Sequence, residues 1–171
     1  MNNKEITTLL KSDPRARRVF KGVFPRDRLP TTINNNNNNL PSAYIINTDR
    51  SSGPGEHWVC VWFDGHGRAE YFDSFGLPPT LVAIQNFISR NSYVRSNYNQ
   101  RLCQSLVSSA CGLYVLYYVL MKSRGASLFR IQQPFHPHNL RTNDTKVRTL
   151  VSNLLRHRNR KLFETLKKIY I

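Results

Sequence analysis

Four residues of this 171-residue chain have types that combine into one kind of chemistry: His57, Asp73, Gln104 and Cys111. A thiolate attacks carbonyl carbon, an imidazole takes and returns its proton, a carboxylate orients the imidazole, and a side-chain amide N–H holds an oxyanion. Cys111 lies where Ser108-Ser109-Ala110-Cys111-Gly112 gives way to almost unbroken apolar and aromatic residues from Leu113 to Met121. That run reads as a helix packed on all sides, with Ser108 and Ser109 as N-cap candidates. A thiol on the first turn of such a helix feels unpaired N–H groups and the positive end of the macrodipole, which favour the thiolate. Gly112 would let a substrate backbone come close to the sulfur. The competing reading is an inert core cysteine, the commoner fate of a cysteine in an apolar helix. The elements that would position its partners decide between the two.

His57 opens the run His-Trp-Val-Cys-Val-Trp-Phe, which ends at Phe63 and is β-branched or aromatic on both faces, as an interior strand should be. Asp64-Gly65-His66-Gly67 reads as a hairpin turn, and Arg68 to Asp73 as the returning strand. A turn centred on Gly65 sets His57 directly opposite Asp73, on one face and close enough for an imidazole to bond a carboxylate. A one-residue change of register would separate them.

The other elements follow from periodicity. Asn3 to Lys11 forms a short helix with Ile6, Leu9 and Leu10 on one face, stopped by Asp13-Pro14. Arg15, Arg17, Arg18, Lys21, Arg26 and Arg28 then crowd a short stretch that reads equally as solvated surface or as a nucleic-acid contact. Asn34 to Asn39 is a low-complexity, exposed loop. Ala43 to Asn47 suits a buried strand, Thr80 to Ser89 an amphipathic helix, and Tyr93 to Arg101 contains a short strand. From Asn143, a candidate cap, Val147, Leu150, Val151, Leu154 and Leu155 mark one helix face, and a second helix carries Leu162, Phe163, Leu166, Ile169 and Tyr170. The outer faces of these two helices hold Lys146, Arg148, Arg156, Arg158, Arg160, Lys161, Lys167 and Lys168, which are either solvated or phosphate-binding.

Composition bounds the classes. Twenty-five Lys and Arg against ten Asp and Glu give a formal charge of +15, more than solubility requires, which points to a polyanionic partner with nucleic acid first. The length and 40% hydrophobic content fit one domain spanning residues 1–171. No apolar run is long enough to span a membrane and the N-terminus lacks the apolar core of a signal peptide, so a non-secreted protein with no membrane partner is expected. Three cysteines, Cys60, Cys103 and Cys111, without a CxxC pair, suggest reduced thiols, with no disulfide framework or zinc cluster. His136 and His138 have no nearby Cys, Asp or Glu to complete a metal site.

The motifs carry a resemblance. His57-Trp58 opening a strand, Tyr71-Phe72-Asp73-Ser74-Phe75-Gly76 closing the next, and Gln104 seven residues before the Cys of Ser109-Ala110-Cys111-Gly112-Leu113-Tyr114 resemble the adenovirus protease family. Asp27-Arg28-Leu29-Pro30, Ala43-Tyr44-Ile45-Ile46-Asn47-Thr48 and Leu140-Arg141-Thr142-Asn143 extend the likeness along most of the chain. The wider clan, which includes the SUMO-deconjugating proteases, keeps the same order of His, acid, Gln and Cys. The resemblance implies an α+β fold: a mixed sheet against a central buried helix carrying the nucleophilic Cys, with additional C-terminal helices. It implies a cysteine endopeptidase with a His57-Asp73-Cys111 triad and a Gln104 oxyanion hole, needing no metal. It also implies a monomer that cleaves virion precursor proteins at Gly-containing motifs in the virion and host nucleus. Its cofactors would be viral DNA and an activating peptide released from a capsid precursor. Adenovirus enzymes mostly carry Glu where this chain has Asp73, whereas SUMO proteases carry Asp. The cysteine that often tethers the activating peptide is replaced here by the region around Tyr93, so Cys60 and Cys103 are expected to be structural. Two other readings stand beside this one: a deconjugating protease for a ubiquitin-like modifier, and a basic nucleic-acid-binding protein whose Cys and His are structural.

Overall fold

The computed structural model describes residues 1–33 and 40–156. The Asn-rich loop, the second C-terminal helix, and the basic residues Arg158, Arg160, Lys161, Lys167 and Lys168 lie outside the described residues. In chain order the elements are α1 (Asn3–Ser12), α2 (Pro14–Val19), β1 (Phe20–Pro25), β2 (Ser42–Asn47), β3 (Trp58–Phe63) and β4 (Arg68–Asp73). They continue as α3 (Val82–Asn91), β5 (Val94–Tyr98), α4 (Cys111–Lys122), α5 (Leu128–Gln132) and α6 (Leu140–Arg156).

The strands form one mixed sheet in the order β1-β2-β3-β4-β5. Its outer pairs, β1/β2 and β4/β5, are parallel, and its inner pairs are antiparallel. Period-two alternation splits β3 between two cores. Trp58, Cys60 and Trp62 join α1, α4 and α6 on one face, while Val59, Val61 and Phe63 join Ile84, Phe87 and Ile88 of α3 on the other. With both faces covered, every residue of β3 is buried, which is why its sequence shows no polar alternation. The expected α+β architecture is therefore the observed one. Helix α4 is the hub: Cys111 through Leu120 are all buried, and Tyr114 and Tyr118 are among the largest fully buried side chains.

Local signals explain most boundaries. Asn2 and Glu5 form a reciprocal capping box that starts α1. Asp13-Pro14 ends α1 as expected, but it also begins α2. The Asp13 carboxylate accepts the Arg15 and Ala16 N–H groups, and Pro14 occupies the first turn. The charged stretch thus starts as a helix, with Ala16 and Val19 inward and Arg15, Arg17 and Arg18 exposed. Asp13 also pairs with Arg124 at 2.6 Å, tying α2 to the end of α4.

Three expectations need correction. The β3/β4 register is centred on His66, with Val59 opposite Asp73 and Phe63 opposite Ala69. The turn is longer than Gly65 alone would make it, because the Asp64 carboxylate accepts the His66 and Arg68 N–H groups and both Gly65 and Gly67 have positive φ. The N-cap of α4 is Ala110, with no side-chain cap bond, so neither Ser108 nor Ser109 caps it. Asn143 lies inside α6, fully buried, and is not its cap.

Candidate active site

β3 and β4 run antiparallel, so the start of one and the end of the other lie at the same end of the sheet. His57 immediately precedes β3 and Asp73 ends β4. The observed register places Phe75, and not Asp73, across from His57, and the two rings stack with centroids 4.7 Å apart. Asp73 is the diagonal neighbour. A shift of two residues preserves the face of every side chain, and a diagonal pair is within reach of an imidazole. The His57 Nε2 to Asp73 Oδ1 distance is 2.8 Å. The expected pairing therefore forms through a different register from the one deduced.

Asp73 is held from several sides. Its Oδ1 also accepts the Phe75 N–H at 2.8 Å. Its main chain is clamped by buried Asn99, whose Oδ1 accepts the Asp73 N–H at 2.7 Å and whose Nδ2 donates to the Asp73 carbonyl at 2.6 Å. The chain then turns at Gly76, where φ is +72° and a Cβ would lie 2.6 Å from the Arg101 carbonyl carbon. Glycine lets the turn after Asp73 pass against the loop that carries Gln104.

Cys111 is the first residue of α4 and only 8% exposed. With Nε2 of His57 on Asp73, Nδ1 is the ring nitrogen left for the sulfur. Burial pushes the Cys111 thiol up, but the hydrogen bond from His57, the Trp58 and Gly112 N–H groups and the His57 charge outweigh it, leaving the thiol below its ordinary value. Burial likewise disfavours the imidazolium, yet hydrogen bonds and charge from Asp73 and Cys111 raise His57 to about 9. The opposite shifts favour transfer of the proton from the Cys111 thiol to the His57 imidazole. The Cys111 N–H has no acceptor among the described residues, as the first N–H of a helix has no intrahelical partner.

Gln104 is 1% exposed. Its Oε1 accepts the Ser74 hydroxyl at 2.7 Å, and its Nε2 donates one hydrogen to the Ser108 carbonyl at 2.7 Å, leaving a second. The loop from Gln104 to Cys111 is anchored at its base: the Ser74 carbonyl accepts the Cys103 and Gln104 N–H groups. Asn143 Nδ2 donates to the Cys103 and His136 carbonyls, while its Oδ1 accepts the His136 N–H. Sequence alone assigns Ser74 and Asn99 no role of their own and offers Asn143 only as a cap. For Asn143 a signal existed: it precedes Val147, Val151 and Leu155 at four-residue spacing and so lies on the buried face.

A cleft of about 490 Å³ adjoins the sulfur, lined by Met1, Arg28, Asn47, Arg50, Trp58 and Cys111 among others. The Trp58 Nε1–H donates to the Met1 carbonyl at 3.2 Å. A Cβ at Gly112 would come within 2.9 Å of the Met1 side chain, so the glycine lets Met1 pack against the start of α4. Leu106 and Val107, in the loop between Gln104 and Cys111, are 72% and 84% exposed.

The remaining candidates fall outside this cluster. Cys60 and Cys103 are fully buried free thiols; burial pushes Cys60 far up and Cys103 to about 11. Arg148 lies exposed on α6, and Arg156 ends that helix. His136 uses Nδ1 to accept the His138 and Asn139 N–H groups. Among the described residues no group of three or more His, Cys, Asp or Glu could hold a metal ion, and no helix is long and apolar enough to cross a membrane.

No model of a protein family matches the chain. Individual relatives do. Cysteine protease S273R of African swine fever virus (isolate Tick/Malawi/Lil 20-1/1983) is 31% identical over 85 residues, which is 44% of this chain and 31% of that protein. This chain is homologous to a viral cysteine protease. SUMO-1 cysteine protease S273R from the isolate Tick/South Africa/Pretoriuskop Pr4/1996 is 29% identical over 85 residues, with the same coverage. The chain thus spans 31% of the length of the S273R relatives it matches. The crystal structure of the selenomethionine ASFV pS273R protease overlays at a TM-score of 0.46 with 24% identity, covering 65% of this chain and 43% of that one.

Proposed function

We propose that this protein is a viral cysteine endopeptidase. The observation that carries the reading is Cys111 at an uncapped helix tip, its thiol depressed by an imidazole that Asp73 itself supports. The Cys111 thiolate attacks the scissile carbonyl, and the oxyanion is held by the Cys111 N–H and the second Nε2 hydrogen of Gln104. The His57 imidazolium, kept in one orientation by Asp73, gives its proton to the leaving amine. Neutral His57 then activates water to hydrolyse the thioester.

In this reading the substrates are virion precursor proteins cut at Gly-containing motifs during particle maturation. The +15 charge supports a DNA cofactor, which Arg148 and Arg156 on α6, with Arg158, Arg160, Lys161, Lys167 and Lys168, would engage. A peptide activator, and action as a monomer in the virion and host nucleus, complete the proposal. Hydrolysis of a fluorogenic Leu-x-Gly-Gly peptide by the wild type and Cys111→Ala, with and without duplex DNA over a salt series, tests it. The expected result is Cys111-dependent cleavage that DNA enhances and salt weakens. Cleavage by Cys111→Ala would refute it.

The name SUMO-1 cysteine protease borne by several relatives favours a second reading, deconjugation of a ubiquitin-like modifier. Cleavage of a modifier fusion in preference to the peptide, without DNA dependence, would select it.

A further inference from the structure

We infer that Ser74 is a positioning residue for the oxyanion hole, aiming the Gln104 amide through its own hydroxyl. The inference rests on the proposed role of Gln104. Ser74 is fully buried, and its hydroxyl makes one recorded bond, donated to Gln104 Oε1 at 2.7 Å. A hydroxyl that donates there fixes the oxygen end of the amide. The NH₂ end is thereby turned toward the loop that ends at Cys111, where the Ser108 carbonyl takes one hydrogen and the other is left for a ligand. The Ser74 carbonyl holds the same residue from the main-chain side, accepting the Cys103 and Gln104 N–H groups at 2.9 and 3.1 Å.

The placement of Ser74 gives this contact a second meaning. Its chain neighbour Asp73 bonds His57, so two adjacent residues at the end of β4 serve the two halves of the site: one carboxylate for the imidazole, one hydroxyl for the amide. Asn99 locks that dipeptide to the sheet by bonding both main-chain groups of Asp73. A displacement of β4's end would therefore misplace acid and oxyanion donor together. Preorganised donors lose effect steeply with small errors in aim.

The test is a double-mutant cycle with Ser74→Ala and Gln104→Ala, read as kcat, KM and pH profile for peptide cleavage. Ser74→Ala is expected to lower kcat about tenfold, with KM within about twofold and the basic limb of the profile unmoved. In the Gln104→Ala background the same change should cost less than about twofold. A full tenfold loss in that background, or a basic limb displaced toward neutral, would show that Ser74 acts through Asp73 or through the fold and would overturn the inference. If Gln104→Ala alone leaves kcat unchanged, the oxyanion role of Gln104 falls, and the inference with it. Resolved, slowly exchanging Gln104 side-chain NH₂ signals in the wild type, collapsing in Ser74→Ala at equal Tm, are expected independently of turnover. Fast exchange in the wild type would overturn the inference without any variant.

Discussion

Cys103 and Cys111 bracket a single loop and are both buried, yet their thiols move in opposite directions: Cys103 rises to about 11, and Cys111 falls below its ordinary value. Burial pushes both up. The difference is what stands beside each sulfur. Cys103 has the Arg101 carbonyl at 3.5 Å and the Gln132 amide at 4.0 Å. Cys111 has an imidazolium and two backbone N–H groups. The donors beside each sulfur, and not burial alone, decide which thiol is depressed. The sharpest way to break the contrast is to remove a member of the reacting pair. Cys111→Ala and His57→Ala should each lower kcat/KM by about 10³-fold or more. Iodoacetamide at neutral pH should modify Cys111 of the wild type about 10²-fold faster than Cys103 or Cys60, and His57→Ala should erase that preference. Equal rates in the wild type would place Cys111 with the structural thiols.

Removing the support beneath the imidazole tests the same contrast with a smaller effect. His57 is raised from 6.5 to about 9, so the folded state holds this proton more tightly than the unfolded chain. Its stabilisation is complete below about pH 6.5 and is lost as pH rises through about 9. Activity that needs both thiolate and imidazolium should follow a bell whose basic limb lies near 9. Asp73→Asn removes the carboxylate charge that raises His57. It should lower kcat by about 10²-fold or more and draw the basic limb toward neutral, narrowing the bell from the alkaline side. A limb that stays near 9 in Asp73→Asn would mean that Cys111 alone sustains the imidazolium.

These contacts were unequally visible in the sequence. The interior strand β3 and the all-apolar helix α4 announce themselves by composition, because full burial leaves no polar side to read. The His57-Asp73 pair was reached by a register argument that was wrong by two residues and still correct in face, since strand side chains repeat every two positions. What hid the register was the Asp64 carboxylate closing a longer turn over two glycines. A short-range turn rule does not weigh such a side-chain bond. The bonds of Ser74, Asn99 and Asn143 were hidden for a related reason. Each makes a bond to a residue far along the chain, 26 positions away for Asn99, 30 for Ser74 and 40 for Asn143. Periodicity reports which face a polar residue occupies, and only folding reports which carbonyl it meets there.

Asn143 shows how the loop's base limits the site. Asn143→Ala removes a donor from the Cys103 carbonyl, which keeps the Tyr114 hydroxyl, and takes both bonds of Asn143 from the His136 N–H and carbonyl. Losing these three bonds should cost about 1–3 kcal/mol in all, which a urea midpoint would register. Because the same residue steadies the base of the Gln104 loop, kcat should fall several-fold as well. Lost stability with unchanged kcat would mean that the Ser74 carbonyl holds the loop unaided.

Cys103→Ala should have the smallest effect, and it separates the two thiols most directly. The sulfur fills a buried site and makes only weak polar contacts, at 3.5 Å to the Arg101 carbonyl and 4.0 Å to the Gln132 amide. Its removal should cost about 1 kcal/mol through lost packing. The main-chain groups of residue 103, which receive Asn143 and bond Ser74, stay in place. The anchoring of Gln104 should then survive, with kcat/KM within about twofold of wild type and the alkylation rate at Cys111 unchanged. A loss approaching that of Cys111→Ala would require the Cys103 sulfur itself to take part in the chemistry, although burial holds its thiol protonated near neutral pH.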